Sequence, residues 1–194
     1  MSVITEADVL AELERTGAVL SGHFQLTSGR HSERYVQCAR VLEDPGLTTR
    51  LAESIAARLS GRTVDVVAAP AVGGIIIGFA VAQALGVKFI FSERQQGTMS
   101  FRRSFSIEPG QRVLVVEDVV TTGGSVAEVI ELVLAAGGEV VAVASIIDRG
   151  GEKAFDAEFL PLLRLEVESM EPQHCPLCAA GVPLDSPGSR RISS

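Results

Sequence analysis

Two neighbouring carboxylates, Glu117 and Asp118, stand directly after an apolar run and directly before a loop of hydroxyls and glycines. The stretch is VLVVEDVVTTGGSVAEVI, residues 113–130. Glycines allow backbone N–H groups to converge on one point, and the threonine and serine hydroxyls add further donors. A helix that begins after such a loop adds partial positive charge at its N-terminus. The stretch therefore predicts a phosphate-binding turn at residues 121–125 (TTGGS).

The turn differs from two familiar phosphate-binding patterns. No lysine follows its glycines, which excludes a Walker loop, and the G-x-G-x-x-G pattern of dinucleotide folds is missing. Because carboxylates repel phosphate, Glu117 and Asp118 are expected to contact another part of the ligand. The ring of a sugar phosphate would offer them a diol and a carbon that becomes cationic. The alternative is an acidic flank that only caps the following helix.

Strands and helices alternate around this turn. We predict strands at 64–69, 88–92, 112–117 and 139–147, and helices at 5–17, 45–58, 74–85 and 124–136. This alternation is typical of a parallel α/β sheet with right-handed crossovers, whose ligands bind beyond the carboxyl ends of the strands. We expect irregular structure at 21–44, a polar loop at 93–106 and a loosely packed tail after about residue 150.

Bulk properties narrow the class of protein. A chain of 194 residues with 46% hydrophobic and 21% charged residues can form one domain with a large core. A net charge of −7 argues against non-specific nucleic-acid binding. Three cysteines and the absence of a secretory pattern at the start favour the cytoplasm. Residues 66–87 are apolar enough to suggest a membrane span, but a proline and three glycines interrupt them, so we expect a buried strand and helix.

The 113–125 stretch resembles the phosphoribosyl-pyrophosphate motif of the type I phosphoribosyltransferases: an apolar strand, two acids, two apolar residues and a Thr/Gly/Ser phosphate loop. The resemblance implies that fold, with one domain over 1–194, a core at about 46–150, and a hood from 1–45 and 151–194. It also implies that phosphoribosyl pyrophosphate contacts every residue from the first acid to the last hydroxyl, namely Glu117, Asp118, Val119, Val120, Thr121, Thr122, Gly123, Gly124 and Ser125.

Two further segments resemble the orotate-specific members of that family. GHFQLTSGRHSERYVQ (22–37) is similar to their base-pocket segment, and SIIDRGG (145–151) places Arg149 where they pair an arginine with the carboxylate of the base. Orotate would then contact Thr121, Arg149 and Tyr35. Without its place at the end of the strand that follows the motif helix, Arg149 could equally be a surface arginine.

The interval 92–107 (SERQQGTMSFRRSFSI) is similar to the mobile loop of the family. Its arginines, Arg94, Arg102 and Arg103, would bind pyrophosphate, and Arg94 would act catalytically in the site of the partner subunit of a homodimer. The alternative is a solvated β-hairpin. The chain also departs from the family, which has lysines where Gly73 and Thr27 stand here.

The resemblance implies transfer of a phosphoribosyl group from phosphoribosyl pyrophosphate to orotate, with Glu117 and Asp118 at the reacting ribose. Mg²⁺ would be required and would bind mainly through substrate oxygens and water. No nucleic-acid or membrane partner is expected. Two alternatives stay open: a phosphoribosyltransferase for another base, and a nucleotide-sensing regulator without turnover.

The segment HCPLC (174–178) places Cys175 and Cys178 at the spacing of a zinc pair. A structural zinc site needs four ligands, and the chain has no second C-x-x-C. Cys38 or a second subunit could complete such a site, but we expect two thiols without a metal. The histidines of the 22–37 segment, His23 and His31, could contact substrate or cap a turn.

Overall fold

The computed structural model describes residues 4–26, 28–150 and 155–187. Strands and helices alternate through most of this part of the chain. The helices are α1 (Glu6–Arg15), α2 (Ala39–Leu42), α3 (Pro45–Arg58), α4 (Gly74–Leu85), α5 (Gly124–Ala135) and α6 (Pro176–Ala179). The strands are β1 (Val19–Gln25), β2 (His31–Val36), β3 (Val66–Pro70), β4 (Lys88–Gln95), β5 (Thr98–Phe101), β6 (Arg112–Val120), β7 (Glu139–Asp148) and β8 (Phe159–Arg164).

The main sheet has six strands in the order β5-β4-β3-β6-β7-β8. Its strands pair in parallel except for β5, which runs antiparallel to β4 at one edge. This confirms the predicted parallel α/β architecture. The apolar run of β6 is continuous because both of its faces are buried: Leu114 and Val116 pack with α3 and α4, whereas Val113 and Val115 pack with α5.

Local signals located several helices correctly. Helices α3 and α4 have the predicted bounds, and Thr5 forms a capping box with Asp8 at the start of α1. Gly86 ends α4 in the left-handed conformation (φ 69°), which glycine adopts without steric cost. The apolar segment 66–87 divides into β3 and the 12-residue α4. Among the described residues, no helix has both the length and the apolar character required to cross a bilayer.

Three segments differ from the prediction. The 21–44 region is not irregular: β1 and β2 form an antiparallel hairpin, whose alternation is obscured by a register shift between Ser21 and Phe24. The 93–106 interval is also a hairpin, because β4 continues to Gln95 and pairs with β5. This confirms the alternative given for that interval. The tail after 150 adds β8 to the main sheet, where Leu162 is fully buried.

The β1–β2 hairpin is joined to the C-terminal segment rather than to the main sheet. Phe24 bridges to Asp185, and His31 pairs with Met170. Arg30 donates from Nε to the Ser169 hydroxyl (2.8 Å) and contacts Glu171. From here on, we use the name hood for β1, β2 and residues 168–187, which are part of the ranges 1–45 and 151–194 predicted from the sequence. Residues 1–3, Thr27, 151–154 and 188–194, which were predicted to belong to the base segment and the hood, lie outside the described residues.

Candidate active site

The acids and the phosphate turn lie on the central strand of the sheet and on the helix that follows it. Strand β6 is longer than predicted and continues to Val120, so Glu117 and Asp118 lie within it. They nevertheless extend beyond Val115, the last β6 residue that pairs with β3. The acids therefore stand at the carboxyl edge of the sheet, where parallel α/β folds bind ligands.

The turn into α5 has the geometry that its glycines suggested. Gly123 adopts a left-handed conformation (φ 73°) at the N-cap position, and α5 begins at Gly124. The first backbone N–H groups of this 12-residue helix are available for an anion because no preceding turn of the helix accepts from them. The turn can thus hold a phosphate with backbone donors alone.

Glycines opposite the acids make room for both carboxyl groups. A Cβ atom on Gly73 would lie 2.6 Å from Asp118 Oδ1, and one on Gly74 would lie 2.9 Å from the Val116 carbonyl oxygen and 3.1 Å from Glu117 Oε1. Gly73 is one of the two positions at which the sequence departs from the family. A lysine cannot replace it while the Asp118 carboxylate keeps its place.

The two carboxyl groups have different environments. Desolvation, followed by the charge of Asp118, raises the pKa of Glu117 well above its usual value. Asp118 Oδ1 accepts a hydrogen bond from the Val119 N–H (2.8 Å), and the Asp118 N–H donates to Glu117 Oε1 (3.1 Å). Of the pair, Asp118 faces the cavity described next.

A cavity of about 600 Å³ lies between this edge of the sheet and the hood. Its size suits a small molecule. The predicted site residues that line it are Tyr35, Asp118, Val119, Thr121, Thr122, Ser125 and Arg149. Other predicted residues lie outside this lining. Val120 packs in the core and accepts the Arg149 N–H through its carbonyl oxygen (2.8 Å), while Glu117, Gly123 and Gly124 lie next to lining residues in the chain.

Arg149 brings a half-buried positive charge to this cavity. It follows β7 directly, and burial lowers the pKa of its guanidinium, an effect that Tyr35 partly offsets. Burial likewise raises the pKa of Tyr35, and the charge of Arg149 opposes that shift. Among the described residues, the buried Nε of Arg149 has no hydrogen-bond partner. A buried donor of this kind requires an acceptor, which a ligand carboxylate would supply in bidentate geometry.

The hairpin arginines do not line the cavity described above. Arg94 donates to Glu128 Oε2 on α5 (2.6 Å) and to the Gly97 carbonyl (2.7 Å). Arg103 forms a bidentate pair with Glu93 (3.0 and 3.1 Å) and lies over the Phe91 ring. Two of the three hairpin arginines, Arg94 and Arg103, are therefore paired with carboxylates of their own chain. Arg102 is exposed.

Sequence reasoning missed the partners of the C-x-x-C pair. His23 and His31 of the hood hairpin lie beside Cys175 and Cys178, whereas His174, the neighbour in sequence, is exposed. The hairpin joins the two histidines and chain folding brings them to the cysteines, so a local pattern did not reveal the group. Cys38 is elsewhere, with its thiol 4.0 Å from the Asp118 carbonyl oxygen.

Known proteins resemble this chain over nearly its full length. Residues 41–161 match the phosphoribosyl transferase domain family. An orotate phosphoribosyltransferase of Desulforamulus reducens is 51% identical over 96% of this chain and 98% of that protein. One from Chlorobaculum parvum is 52% identical over 96% of this chain and 97% of that protein.

A solved structure of an orotate phosphoribosyltransferase also resembles this chain. The crystal structure of orotate phosphoribosyltransferase from Aeropyrum pernix is 27% identical, covers 81% of this chain and 93% of that chain, and superposes with a TM-score of 0.71. The sequence relatives match 96% of this chain, so their similarity extends beyond the matched domain to most of the hood. The chain belongs to the phosphoribosyltransferase family and, within it, to the orotate phosphoribosyltransferases.

Proposed function

We propose that this protein transfers the 5-phosphoribosyl group of phosphoribosyl pyrophosphate to N1 of orotate, giving orotidine 5′-phosphate and pyrophosphate in pyrimidine biosynthesis. Membership of the family supports the reaction. The observation that carries the choice of base is Arg149, a half-buried arginine whose buried Nε is unpaired in the same cavity as the phosphate turn. Orotate has a carboxylate to offer this cation, whereas purine bases do not.

The phosphate turn holds the 5-phosphate of both substrate and product. Backbone N–H groups at the start of α5 donate to its oxygens, and the hydroxyls of Thr121, Thr122 and Ser125 add further donors. Because the turn lies directly after β6, a bound phosphate places the ribose over the carboxyl edge of the sheet, beside Asp118.

Glu117 and Asp118 hold the ribose diol and respond to the charge that develops during reaction. The bond from ribose C1 to pyrophosphate breaks with its electron pair leaving on the pyrophosphate oxygen. N1 of orotate forms the new bond with its own electron pair, and the proton that N1 carried is released to the solvent. Positive charge grows on C1 and the ring oxygen between these events. A carboxylate fixed near the ring stabilises that charge without reorganisation, which lowers the barrier.

The acids also fit the metal that this reaction class uses. Carboxylate oxygens are the ligands that Mg²⁺ accepts from proteins, and Asp118 presents one to the cavity. When bound, Mg²⁺ would neutralise charge on the departing pyrophosphate, mainly through substrate oxygens and water. Arg149 and Thr121 orient orotate in this scheme, and Tyr35 closes the base pocket from the hood.

We further propose that the protein acts as a homodimer in which Arg94, Arg102 and Arg103 serve the pyrophosphate of the partner's site. The hairpin does not line the cavity of its own chain, which supports a role in trans. An exposed apolar strip made by Val72 (81% exposed), Ile76 (52%) and Phe79 (58%) on and before α4 offers a contact surface for a second copy. A cytoplasmic location agrees with the free thiols of Cys38, Cys175 and Cys178.

The apolar strip gives a direct test of the dimer. Light scattering should report twice the chain mass of 20.4 kDa for the wild type, and Phe79→Asp should shift the protein to the monomer mass. Leu134→Asp is the matched control, because Leu134 is 57% exposed on α5 and outside the strip. A wild-type monomer that turns over normally would refute the shared site.

Turnover with a panel of bases tests the proposed function. Protein mixed with phosphoribosyl pyrophosphate and Mg²⁺ should consume orotate, measured by its loss of absorbance, and should leave adenine, guanine, hypoxanthine and uracil unchanged. Turnover of a purine instead would favour a phosphoribosyltransferase for another base. Saturable binding of phosphoribosyl pyrophosphate without turnover of any base would favour a nucleotide-sensing regulator.

Arg149→Ala should raise the KM for orotate roughly ten- to a hundredfold, because a hydrogen bond to a charged group contributes about 1.5–3 kcal/mol. The KM for phosphoribosyl pyrophosphate should change little. Steady-state kinetics with each substrate varied in turn makes the comparison, with Arg40→Ala, an exposed arginine on α2, as control. An unchanged orotate KM would remove Arg149 from the base pocket.

Gly73→Ala should reduce kcat by the order of a hundredfold, since the new Cβ displaces the Asp118 carboxylate and small misplacements of a reacting group are costly. Asp118→Asn should give a similar loss while binding of orotidine 5′-phosphate changes much less. Stability should survive Gly73→Ala because the displaced atoms end a side chain.

Gly74→Ala is the matched comparison for this prediction. Its Cβ meets a backbone carbonyl, so it should lower the free energy of unfolding by about 1–3 kcal/mol. Full activity in Gly73→Ala would mean that the position of Asp118 does not limit turnover.

A further inference from the structure

Four metal-binding side chains meet in the hood, away from the phosphate turn. They are His23 on β1, His31 on β2, Cys175 before α6 and Cys178 within it. One nitrogen or sulfur atom of each lies within 4.8 Å of the corresponding atom of every other. His23, His31 and Cys175 are 3–4% exposed, and Cys178 closes the group from the solvent side.

The distances in this group resemble those around a tetrahedral ion. His23 Nε2 lies 3.0 Å from His31 Nδ1, 3.4 Å from Cys175 Sγ and 3.6 Å from Cys178 Sγ. Cys178 Sγ is 3.3 Å from His31 Nδ1. Zinc bonds of about 2.0–2.3 Å separate tetrahedral ligand atoms by about 3.3–3.8 Å. These four separations lie within a few tenths of an ångström of the tetrahedral range, and the other two in the group do not exceed 4.8 Å.

One histidine is already oriented for coordination. His23 Nδ1 lies 2.8 Å from the Val182 carbonyl oxygen, which can accept only if Nδ1 carries the proton. Nε2 then presents its lone pair to the two sulfurs and to His31. A backbone carbonyl behind a ligating histidine is the usual arrangement that fixes tautomer and ring orientation in metal sites.

We propose that His23, His31, Cys175 and Cys178 bind one Zn²⁺ as a structural site. Two thiolates and two neutral imidazoles balance the charge of the ion, so the filled site is neutral and can be buried. Sulfur and imidazole together select zinc over Mg²⁺, which prefers oxygen. Four protein ligands fill the tetrahedron and leave no position for a substrate, which separates this site from the catalytic Mg²⁺.

The ion would connect the two parts of the hood, namely the β1–β2 hairpin and the C-terminal segment. His23 and Cys178 are 155 residues apart in the chain, so a bond through zinc closes a very long loop. The same hood supplies Tyr35 and Pro187 to the wall of the cavity. Zinc would hold the hood hairpin and the C-terminal segment together and keep that wall in place.

Metal analysis tests the site without reference to turnover. Protein freed of any affinity tag should contain about one zinc per chain after gel filtration, measured by plasma mass spectrometry. Cys178→Ser and His23→Gln should lose most of it. His174→Gln is the matched control, because this exposed neighbour of the cysteines lies outside the group and should retain the zinc.

Two measurements on the wild-type protein, the absorption spectrum with Co²⁺ and the midpoint of thermal unfolding, test the site even if a variant folds poorly. Wild-type protein stripped by a chelator and refilled with Co²⁺ should show thiolate charge-transfer absorption and the visible bands of tetrahedral cobalt. Stripping should lower the unfolding midpoint, and Zn²⁺ but not Mg²⁺ should restore it. Zinc at trace level with no cobalt–thiolate band, a Cys175–Cys178 disulfide in its place, or equal zinc loss in His174→Gln would overturn the proposal.

Discussion

The parallel pairing of β6 with β7 is the interaction on which the site depends. The two strands stay in register from Arg112 opposite Glu139 to Val120 opposite Asp148, apart from one shift after Val113. The Arg149 N–H continues the ladder by donating to the Val120 carbonyl oxygen (2.8 Å). Backbone hydrogen bonds thus place the end of β7, and the arginine there, beside the start of the phosphate turn. Sheet register sets the spacing between the base pocket and the phosphate site.

The charges at the cavity are set by single side chains rather than by the net charge of this acidic protein. The net charge is −7, yet the cavity contains a guanidinium that is buried at Nε and approached by Tyr35. On the neighbouring strand β6, Asp118 faces the cavity. The burial that raises the pKa of Glu117 opposes a second full negative charge beside it. A ligand that is anionic at both ends and becomes cationic in the middle fits this order of charges. Substrate recognition and transition-state stabilisation then follow from the same arrangement.

Local sequence signals identified the elements that build the site but not everything that surrounds them. The strand–acid–glycine order at 113–125 predicted β6, its turn and α5, because each feature depends on neighbouring residues. The hood hairpin was missed because its pattern is broken by a register shift. Strand β8 was missed because its pairing with β7 joins residues that are distant in sequence, such as Val143 and Phe159. The His/Cys group depends on chain folding over more than 150 residues, so only its C-x-x-C half was visible.

A crystal structure of the complex with orotidine 5′-phosphate tests the central claim most directly, because one ligand spans all three subsites. The account predicts the phosphate on the backbone donors at the start of α5, the ribose hydroxyls within hydrogen-bond distance of Asp118, and the base carboxylate paired with the Arg149 guanidinium. A phosphate bound elsewhere, with Arg149 still unpaired and the ribose away from the acids, would contradict it.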